Sequence, residues 1–146
     1  MPYILRTHHL TKTIGGKNIV EDVNLHVKAG EIYGFLGPNG AGKTTVMKMI
    51  CNLWKPTSGE IEVFGTPLMP DSYEVLKRMG SIIEFPAFYD NMTGYQNLKL
   101  HCEYMGYYKH GCIENALEML GLKEAAGKKV KSYSLGMKER LGIARA

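Results

Sequence analysis

Apolar and polar positions follow two different patterns on either side of residue 90. Before it, short apolar clusters alternate with turn-forming glycine pairs and Ala-Gly, which is typical of strands joined by turns. Five strands are predicted, at Tyr3–His9, Asn18–Val27, Glu31–Leu36, Glu60–Phe64 and Ser81–Phe85. The first three read as antiparallel strands, so a small β layer opens the chain.

Helical periodicity appears in two short stretches and then governs the chain from Asn91 onward. Five helices are predicted, at Thr45–Leu53, Ser72–Met79, Gly94–Tyr104, Gly111–Leu120 and Leu135–Ala146. Mixed strands and helices predict an α/β fold, with a β layer and core in residues 1–90 and a helical subdomain in residues 91–146.

The segment GPNGAGKT matches the phosphate-loop pattern of Gly, four residues, Gly-Lys-Thr, and lies between an apolar strand-like run and a helix-like run. Glycine lets backbone N–H groups turn inward around an anion, and the start of a helix adds the positive end of its dipole. Lys43 brings a charge to the phosphates and Thr44 a hydroxyl to Mg²⁺. We predict that ATP phosphates contact Gly37, Pro38, Asn39, Gly40, Ala41, Gly42, Lys43, Thr44 and Thr45. The alternative is a glycine-rich turn without chemical function.

Composition limits the remaining possibilities. The 146 residues, 45% hydrophobic and 22% charged, are typical of one globular domain, and a net charge of +4 does not demand a nucleic-acid partner. The chain has no apolar stretch of the roughly 18 residues that span a bilayer, so we expect any membrane role to act through a partner. Its three cysteines, Cys51, Cys102 and Cys112, lack metal-site spacing and are predicted to be reduced, core-filling thiols of a cytosolic protein.

Three segments together, GPNGAGKTT, PTSGEIEVFG and SYSLGMKERLGIARA, resemble the ATP-binding subunit of ABC transporters, and the match spans essentially the whole chain. The resemblance implies a P-loop NTPase of ABC type, with an antiparallel β layer, a partial parallel core sheet and a helical subdomain. It also implies a membrane permease as partner and a location at the inner face of the cell membrane.

The last segment carries a variant of the family's LSGGQ-type signature, here Tyr133-Ser134-Leu135-Gly136-Met137. In the family, the signature of one subunit covers the γ-phosphate held by another in a head-to-tail dimer. The resemblance therefore implies that Ser134 and Gly136 bind nucleotide in trans. The alternative is that Ser134 only caps the last helix, and the two roles can coexist.

Glu84 stands where the family usually has a glutamine that contacts Mg²⁺ and the attacking water. This variant resembles the branch that exports bacitracin-type and lantibiotic peptides, and a carboxylate is a suitable Mg²⁺ ligand. A solvent-facing glutamate is the alternative. The aromatic residues that follow, Phe85, Phe88, Tyr89 and Tyr95, either receive a helix of the permease or pack the helical subdomain. Tyr104, Tyr107 and Tyr108 are predicted to be packing and surface residues.

Ile14 occupies the position where the family often stacks an aromatic ring on adenine. Apolar contact with a base is retained, whereas π-stacking is lost. The sequence therefore does not decide between ATP and GTP as the bound nucleotide.

The chain ends 146 − 136 = 10 residues after Gly136, before the family's Asp-Glu strand and switch histidine. We expect a truncated catalytic domain that binds nucleotide and hydrolyses it poorly. Two alternatives to a peptide-antibiotic or drug exporter are a catalytically silent nucleotide-binding or association module, and a non-transport ABC ATPase. The second usually carries a long insertion, but Thr44 and Ser134 are only 134 − 44 = 90 residues apart.

Overall fold

The structure is a computed structural model that describes residues 2–107 and 109–146. Tyr108, predicted above to be a packing or surface residue, lies outside the described residues. The chain forms two compact units, of which the first ends at Met79 and the second begins at Gly80. The sequence placed the division after residue 90. Among the described residues, no helix is long and apolar enough to cross a membrane.

The first unit is built on an antiparallel sheet centred on its long first strand. The strands are β1 (Tyr3–Ile14), β2 (Lys17–Val23), β3 (His26–Lys28), β4 (Ser58–Val63) and β5 (Thr66–Pro67). Their order is β2-β1-β4-β5, with β3 also paired to β1, and every pairing is antiparallel. An antiparallel β layer is therefore present as predicted, with Tyr3–His9 inside β1 and Asn18–Val27 divided between β2 and β3, and β4 joins it.

Helix α1 (Lys43–Ile50) covers the apolar side of this sheet. Val46, Met49 and Ile50 are spaced three and four residues apart, so they form one buried stripe on the helix. They pack against strand residues on one face of the sheet, Leu10, Val20, Ile61 and Val63. Side chains along a strand alternate between the two faces, which is why Ile61 and Val63 share a face. This packing fixes the start of α1, and with it the end of the glycine-rich loop. Helix α2 (Tyr73–Leu76) is shorter than the predicted Ser72–Met79.

Two predicted strands are wrong: neither Glu31–Leu36 nor Ser81–Phe85 is assigned to a strand. Ile32 is 100% exposed and Leu36 is 92% exposed, although the apolar run EIYGFLG predicts burial. A strand that is apolar on both faces needs neighbouring strands for its N–H and C=O groups. The described part of the chain pairs no strand with either segment, so the predicted parallel core sheet is not formed there.

The second unit is helical. Its helices are α3 (Gly94–Met105), α4 (Cys112–Met119) and α5 (Leu135–Arg145), with short 3-10 turns at Lys123–Ala125 and Val130–Ser132. They enclose a separate core whose most buried members are Leu98, Ile113, Leu117, Leu122, Val130 and Leu141. Thr93 and Gln96 form a reciprocal capping box at the start of α3. The three long helices lie within a residue or two of their predicted bounds.

Candidate functional site

The glycine-rich loop leads directly into α1 and is shaped by two left-handed glycines. Gly40 has φ +84° and Gly42, the residue that precedes α1, has φ +88°. The Ala41 N–H donates to the Pro38 carbonyl at 3.2 Å, which closes a tight turn between them. Such a turn at the start of a helix exposes successive backbone N–H groups, which is how proteins hold a phosphate.

Gly42 also fits a space that no other residue can occupy. A Cβ at this position would lie 2.6 Å from the Ile19 carbonyl oxygen and 2.9 Å from Val20 Cγ2. The loop therefore sits directly on β2, and the absence of a side chain at Gly42 is a steric requirement as well as a conformational one. Sequence reasoning assigned the loop glycines to phosphate approach only, and missed this contact with the sheet.

The Lys43 ammonium group lies across the loop. Its Nζ donates to the Gly37 carbonyl at 2.6 Å and to the Pro38 carbonyl at 2.7 Å. Thr44 follows on the first turn of α1 with an exposed side chain, and Thr45 is half-buried. One flexible cation and one exposed hydroxyl thus accompany the backbone N–H groups, which is the donor set that a Mg²⁺–triphosphate requires.

Ile14 ends β1 and is paired in register with Lys17 across the β1–β2 hairpin. Its side chain is 47% exposed, and the same hairpin supplies Ile19 and Val20 against Gly42. The predicted base-contacting residue and the predicted phosphate-binding residues are thus held by one pair of strands within the first unit.

In the signature segment, the structure shows the helix-capping role of Ser134. Its Oγ accepts a hydrogen bond from the Met137 N–H at 3.3 Å, at the start of α5. Gly136 lies on the first turn and is exposed, with nothing within 4 Å of the position that a Cβ would take. A serine hydroxyl, an open glycine and a helix N-terminus therefore share one exposed surface.

The residue before this serine, Tyr133, anchors the segment. Its ring is buried, and its hydroxyl donates to the Ala125 carbonyl at 2.6 Å. The hydroxyl also lies against Gly94, where any side chain would collide with it. Burial raises the pKa of Tyr133 above its ordinary value, so the hydroxyl keeps its proton and stays a donor. Glycine at position 94 was a clue that sequence reasoning did not use.

Glu84 lies in a bend of the second unit and not at the end of a strand. It is exposed and has φ +61°, an unusual angle for a residue with a side chain. Thr44 and Glu84, the two predicted metal ligands, belong to different units. The described residues contain no group of three His, Cys, Asp or Glu side chains that could hold a metal.

A groove of about 380 Å³ opens in the second unit. Its walls combine aromatic, apolar and basic side chains: Phe88, Tyr89, Leu100, His101, Tyr104 and Arg145. Of the four aromatic residues singled out in the sequence, two line this groove. Tyr95 instead packs on the helical core, and Phe85 is 76% exposed. Phe88 packs against the helical core as well, so the packing interpretation holds for Phe88 and Tyr95, and the permease-helix interpretation stays a prediction.

Arg145 fixes one wall of the groove. Its Nη1 donates to the Ala87 carbonyl at 2.8 Å, and its guanidinium lies 4.9 Å from the centre of the Phe88 ring. Partial burial, and then the nearby Arg145 charge, lower the pKa of His101 below its ordinary value. This shift favours the neutral form of His101 beside the aromatic and apolar wall.

Asn97 holds the opposite wall and was not singled out from the sequence. This buried side chain accepts from the Tyr89 N–H at 2.9 Å and donates to the Tyr89 carbonyl at 3.2 Å and the Thr93 carbonyl at 3.0 Å. It thus satisfies both backbone groups of Tyr89, as a neighbouring strand would. Tyr89 is held in place by this pairing.

We expect Asn97→Ala to destabilise the second unit by about 2 kcal/mol, because the buried amide side chain is lost and the Tyr89 N–H loses its acceptor. Denaturant unfolding followed by circular dichroism measures the loss. Asn115→Ala is the matched control, since Asn115 is an exposed asparagine on a neighbouring helix. Equal stability losses in the two variants would contradict the role given to Asn97.

Comparison with known proteins agrees with this geometry. The sequence profile of the ABC transporter family matches residues 20–146. The chain is 59% identical over its whole length to the uncharacterised ABC transporter ATP-binding protein YcbN of Bacillus subtilis, covering 48% of that protein. It is 49% identical to the bacitracin transport ATP-binding protein BcrA of Bacillus licheniformis, again over 100% of the chain and 48% of the relative. The lantibiotic transport ATP-binding protein SrtF of Streptococcus pyogenes is 39% identical over 97% of the chain, which covers 60% of SrtF.

Two solved structures match the fold. The ATP-binding subunit of an ABC transporter superposes with a TM-score of 0.84 at 28% identity, over 98% of this chain and 61% of that one. Protein cbiO1 of Clostridium perfringens superposes with a TM-score of 0.86 at 25% identity, over 99% and 61%. The chain thus spans about half the length of the curated relatives BcrA and YcbN. The resemblance and the ABC-type fold inferred from its sequence are confirmed, except that the described residues form no parallel core sheet. With its phosphate loop, its signature segment and these matches, the chain belongs to the ABC transporter family, among its ATP-binding proteins.

Proposed function

We propose that this chain binds Mg²⁺–ATP through its glycine-rich loop, as the nucleotide-binding part of an ABC exporter. The observation that carries the proposal is the loop itself, in which Lys43 lies across two carbonyls and Gly42 is fixed on β2. Backbone N–H groups and the α1 dipole stabilise the phosphates, and Lys43 neutralises their charge. Ile14 contacts the base through an apolar surface.

Magnesium would be held by the Thr44 hydroxyl and phosphate oxygens, and Glu84 is a second, weaker candidate ligand. These donors fit the metal, because Mg²⁺ prefers hard oxygen ligands and is commonly bound together with substrate phosphates. When bound, the ion supplies charge that neutralises the phosphates. The protein's own contribution is to orient the triphosphate along the loop and towards the start of α1.

We propose a permease subunit and a second ATP-binding subunit as partners, which would place the chain at the inner face of the cell membrane. The groove of Phe88, Tyr89, Leu100, His101, Tyr104 and Arg145 supports the first partner, since aromatic and apolar walls around an arginine suit a short amphipathic helix. The exposed surface at Ser134 and Gly136 supports the second, because it can contact a γ-phosphate from outside the subunit.

The transported substrate is proposed to be a peptide antibiotic or a drug. Support comes from the names of two relatives, one a bacitracin and one a lantibiotic transport ATP-binding protein, at 49% and 39% identity. The residue type at position 84 adds support for this substrate class, because a glutamate there marked the resemblance to the peptide-exporting branch.

Calorimetric titration with Mg²⁺–ATP and Mg²⁺–GTP, with light scattering to report mass, tests the proposal. We expect saturable binding with one site per chain, and phosphate release close to the rate without protein. A preference for ATP would show that the apolar contact of Ile14 is enough to select adenine over guanine. No binding of either nucleotide by a monodisperse sample would overturn the nucleotide-binding function and favour an association module.

Glu84→Gln is expected to raise the Mg²⁺ concentration needed for tight ATP binding, by up to about tenfold, equivalent to about 1.4 kcal/mol, because an amide replaces a charged ligand. Titration of Mg²⁺ at fixed ATP measures the shift. Glu74→Gln is the control, since Glu74 is an exposed glutamate paired with Lys77. Superimposable Mg²⁺ curves for Glu84→Gln and the unsubstituted chain would show that Glu84 is a solvent-facing residue that does not bind Mg²⁺.

A further inference from the structure

Two histidines lie on the outer face of the first unit's sheet, opposite the face that α1 covers. Side chains along a strand alternate between the two faces. Thr7 in β1 and Val27 in β3 are buried on the inner face, so their chain neighbours His8 and His26 project from the outer face. His26 is exposed and His8 is half-buried. Both imidazoles can therefore be reached by a small ligand from solvent.

The strand pairing brings these two imidazoles together. Arg6 in β1 is paired in register with His26 in β3, so His8, two residues further along β1, is the diagonal neighbour of His26. The centres of the two imidazole rings are 6.0 Å apart, and the ring planes are inclined at 82°. The Tyr3 ring also contacts His26, edge to face at 5.5 Å, which restricts how the His26 ring can turn. The fold itself thus holds the two rings side by side.

This spacing suits two imidazoles that share one metal ion. A bond of about 2.0–2.1 Å joins an imidazole nitrogen to Zn²⁺, so each ring centre lies roughly 3.2 Å from the ion. Two such rings have their centres about 5 to 6 Å apart at tetrahedral and wider angles. The 6.0 Å between His8 and His26 lies in this range. Small side-chain rotations would therefore aim one nitrogen of each ring at a common point.

The charges on the outer face favour a cation near His8. The Arg6 guanidinium is ion-paired with Glu62 at 2.6 Å, so these two charges offset each other. Glu60 in β4 is paired in register with His8, which places a carboxylate directly across from this imidazole. Lys28 lies further along β3, at the end away from His8. A positive ion beside His8 thus meets an acidic neighbour.

We propose that His8 and His26 together bind a late first-row divalent metal ion, for which Zn²⁺ is the probe. Imidazole nitrogen is a preferred ligand of Zn²⁺, Ni²⁺ and Cu²⁺, whereas Mg²⁺ prefers oxygen ligands. The described residues contain no group of three His, Cys, Asp or Glu side chains that could hold a metal, so water completes the coordination. The ion would join β1 to β3. Neither histidine belongs to the glycine-rich loop, and the site does not depend on the proposed nucleotide-binding function.

The test is isothermal titration of the whole chain with ZnCl₂ at about pH 7.5, without nucleotide, where most imidazole is neutral. We expect one saturable site that excess Mg²⁺ does not block. His8→Gln and His26→Gln should each weaken Zn²⁺ binding by about tenfold or more, since even the outer-shell partners of metal ligands typically contribute that much. Full Zn²⁺ affinity in both variants, or no Zn²⁺ binding by the unsubstituted chain, would overturn the proposal.

His110→Gln is the matched control, because His110 is an exposed histidine of the second unit. Its Zn²⁺ affinity should equal that of the unsubstituted chain. Mg²⁺–ATP titration of His26→Gln should also match the unsubstituted chain, which separates a failure of the metal site from a failure of the nucleotide site. Zn²⁺ should raise the urea midpoint of the unsubstituted chain and leave that of His26→Gln unchanged, because an ion that binds only the folded state stabilises it.

A second measurement locates the ion without any substitution, because free thiols also bind Zn²⁺. Paramagnetic Ni²⁺ should broaden the imidazole NMR signals of His8 and His26 at lower concentrations than those of His101 and His110. Equal broadening of all four signals would mean that the metal binds exposed histidines in general, and would contradict a shared site.

Discussion

Replacement of Lys43 by alanine is expected to weaken ATP binding by roughly 100-fold or more, equivalent to about 3 kcal/mol, because contacts to charged phosphates are lost. Isothermal titration of Mg²⁺–ATP measures the loss. Stability should change little, since the Lys43 hydrogen bonds to Gly37 and Pro38 are exposed.

Lys77→Ala is the control for this substitution. Lys77 is also a lysine of the first unit, but it pairs with Glu74 on the surface. ATP affinity should be unchanged in this variant. If Lys43→Ala bound ATP as tightly as Lys77→Ala does, the glycine-rich loop would not be the phosphate site.

Gly42→Ala is expected to destabilise the first unit by about 3 kcal/mol, of which about 1 to 2 kcal/mol arise from the left-handed backbone and the rest from overpacking. The overpacking is specific, because the new Cβ would meet the Ile19 carbonyl and the Val20 side chain. The loop must then shift away from β2, so ATP binding should fall as well. Denaturant unfolding without nucleotide gives the stability.

Gly40→Ala isolates the backbone-strain part of this effect. Gly40 has nearly the same φ, +84°, but nothing lies within 4 Å of its Cβ position. It should cost only about 1 to 2 kcal/mol, the backbone strain alone. Equal losses from Gly40→Ala and Gly42→Ala would mean that contact with β2 does not hold the loop.

The helices and the glycine-rich loop could be predicted because their signals are local. Thr93 and Gln96 mark the start of α3, and Ser134 marks the start of α5, through hydrogen bonds within a few residues. Leu98 in α3, Leu117 in α4 and Leu141 in α5 each belong to the apolar pattern of their own helix, and this periodicity predicts their burial. A single sequence carries this information directly.

The features that were missed depend on residues distant in sequence. Glu31–Leu36 has a strand-like pattern, but a strand forms only where other strands pair with it, which the pattern cannot show. Asn97 reads as an ordinary polar helix residue until the fold brings Tyr89 beside it.

Helix α5 connects two surfaces that were described separately. Ser134 caps its first turn, and Arg145 near its other end holds the Ala87 carbonyl and the Phe88 ring. Eleven helical residues form a stiff rod of about 16 Å, because each residue adds about 1.5 Å. The aromatic groove and the signature serine of the second unit are therefore joined by one short, continuous helix.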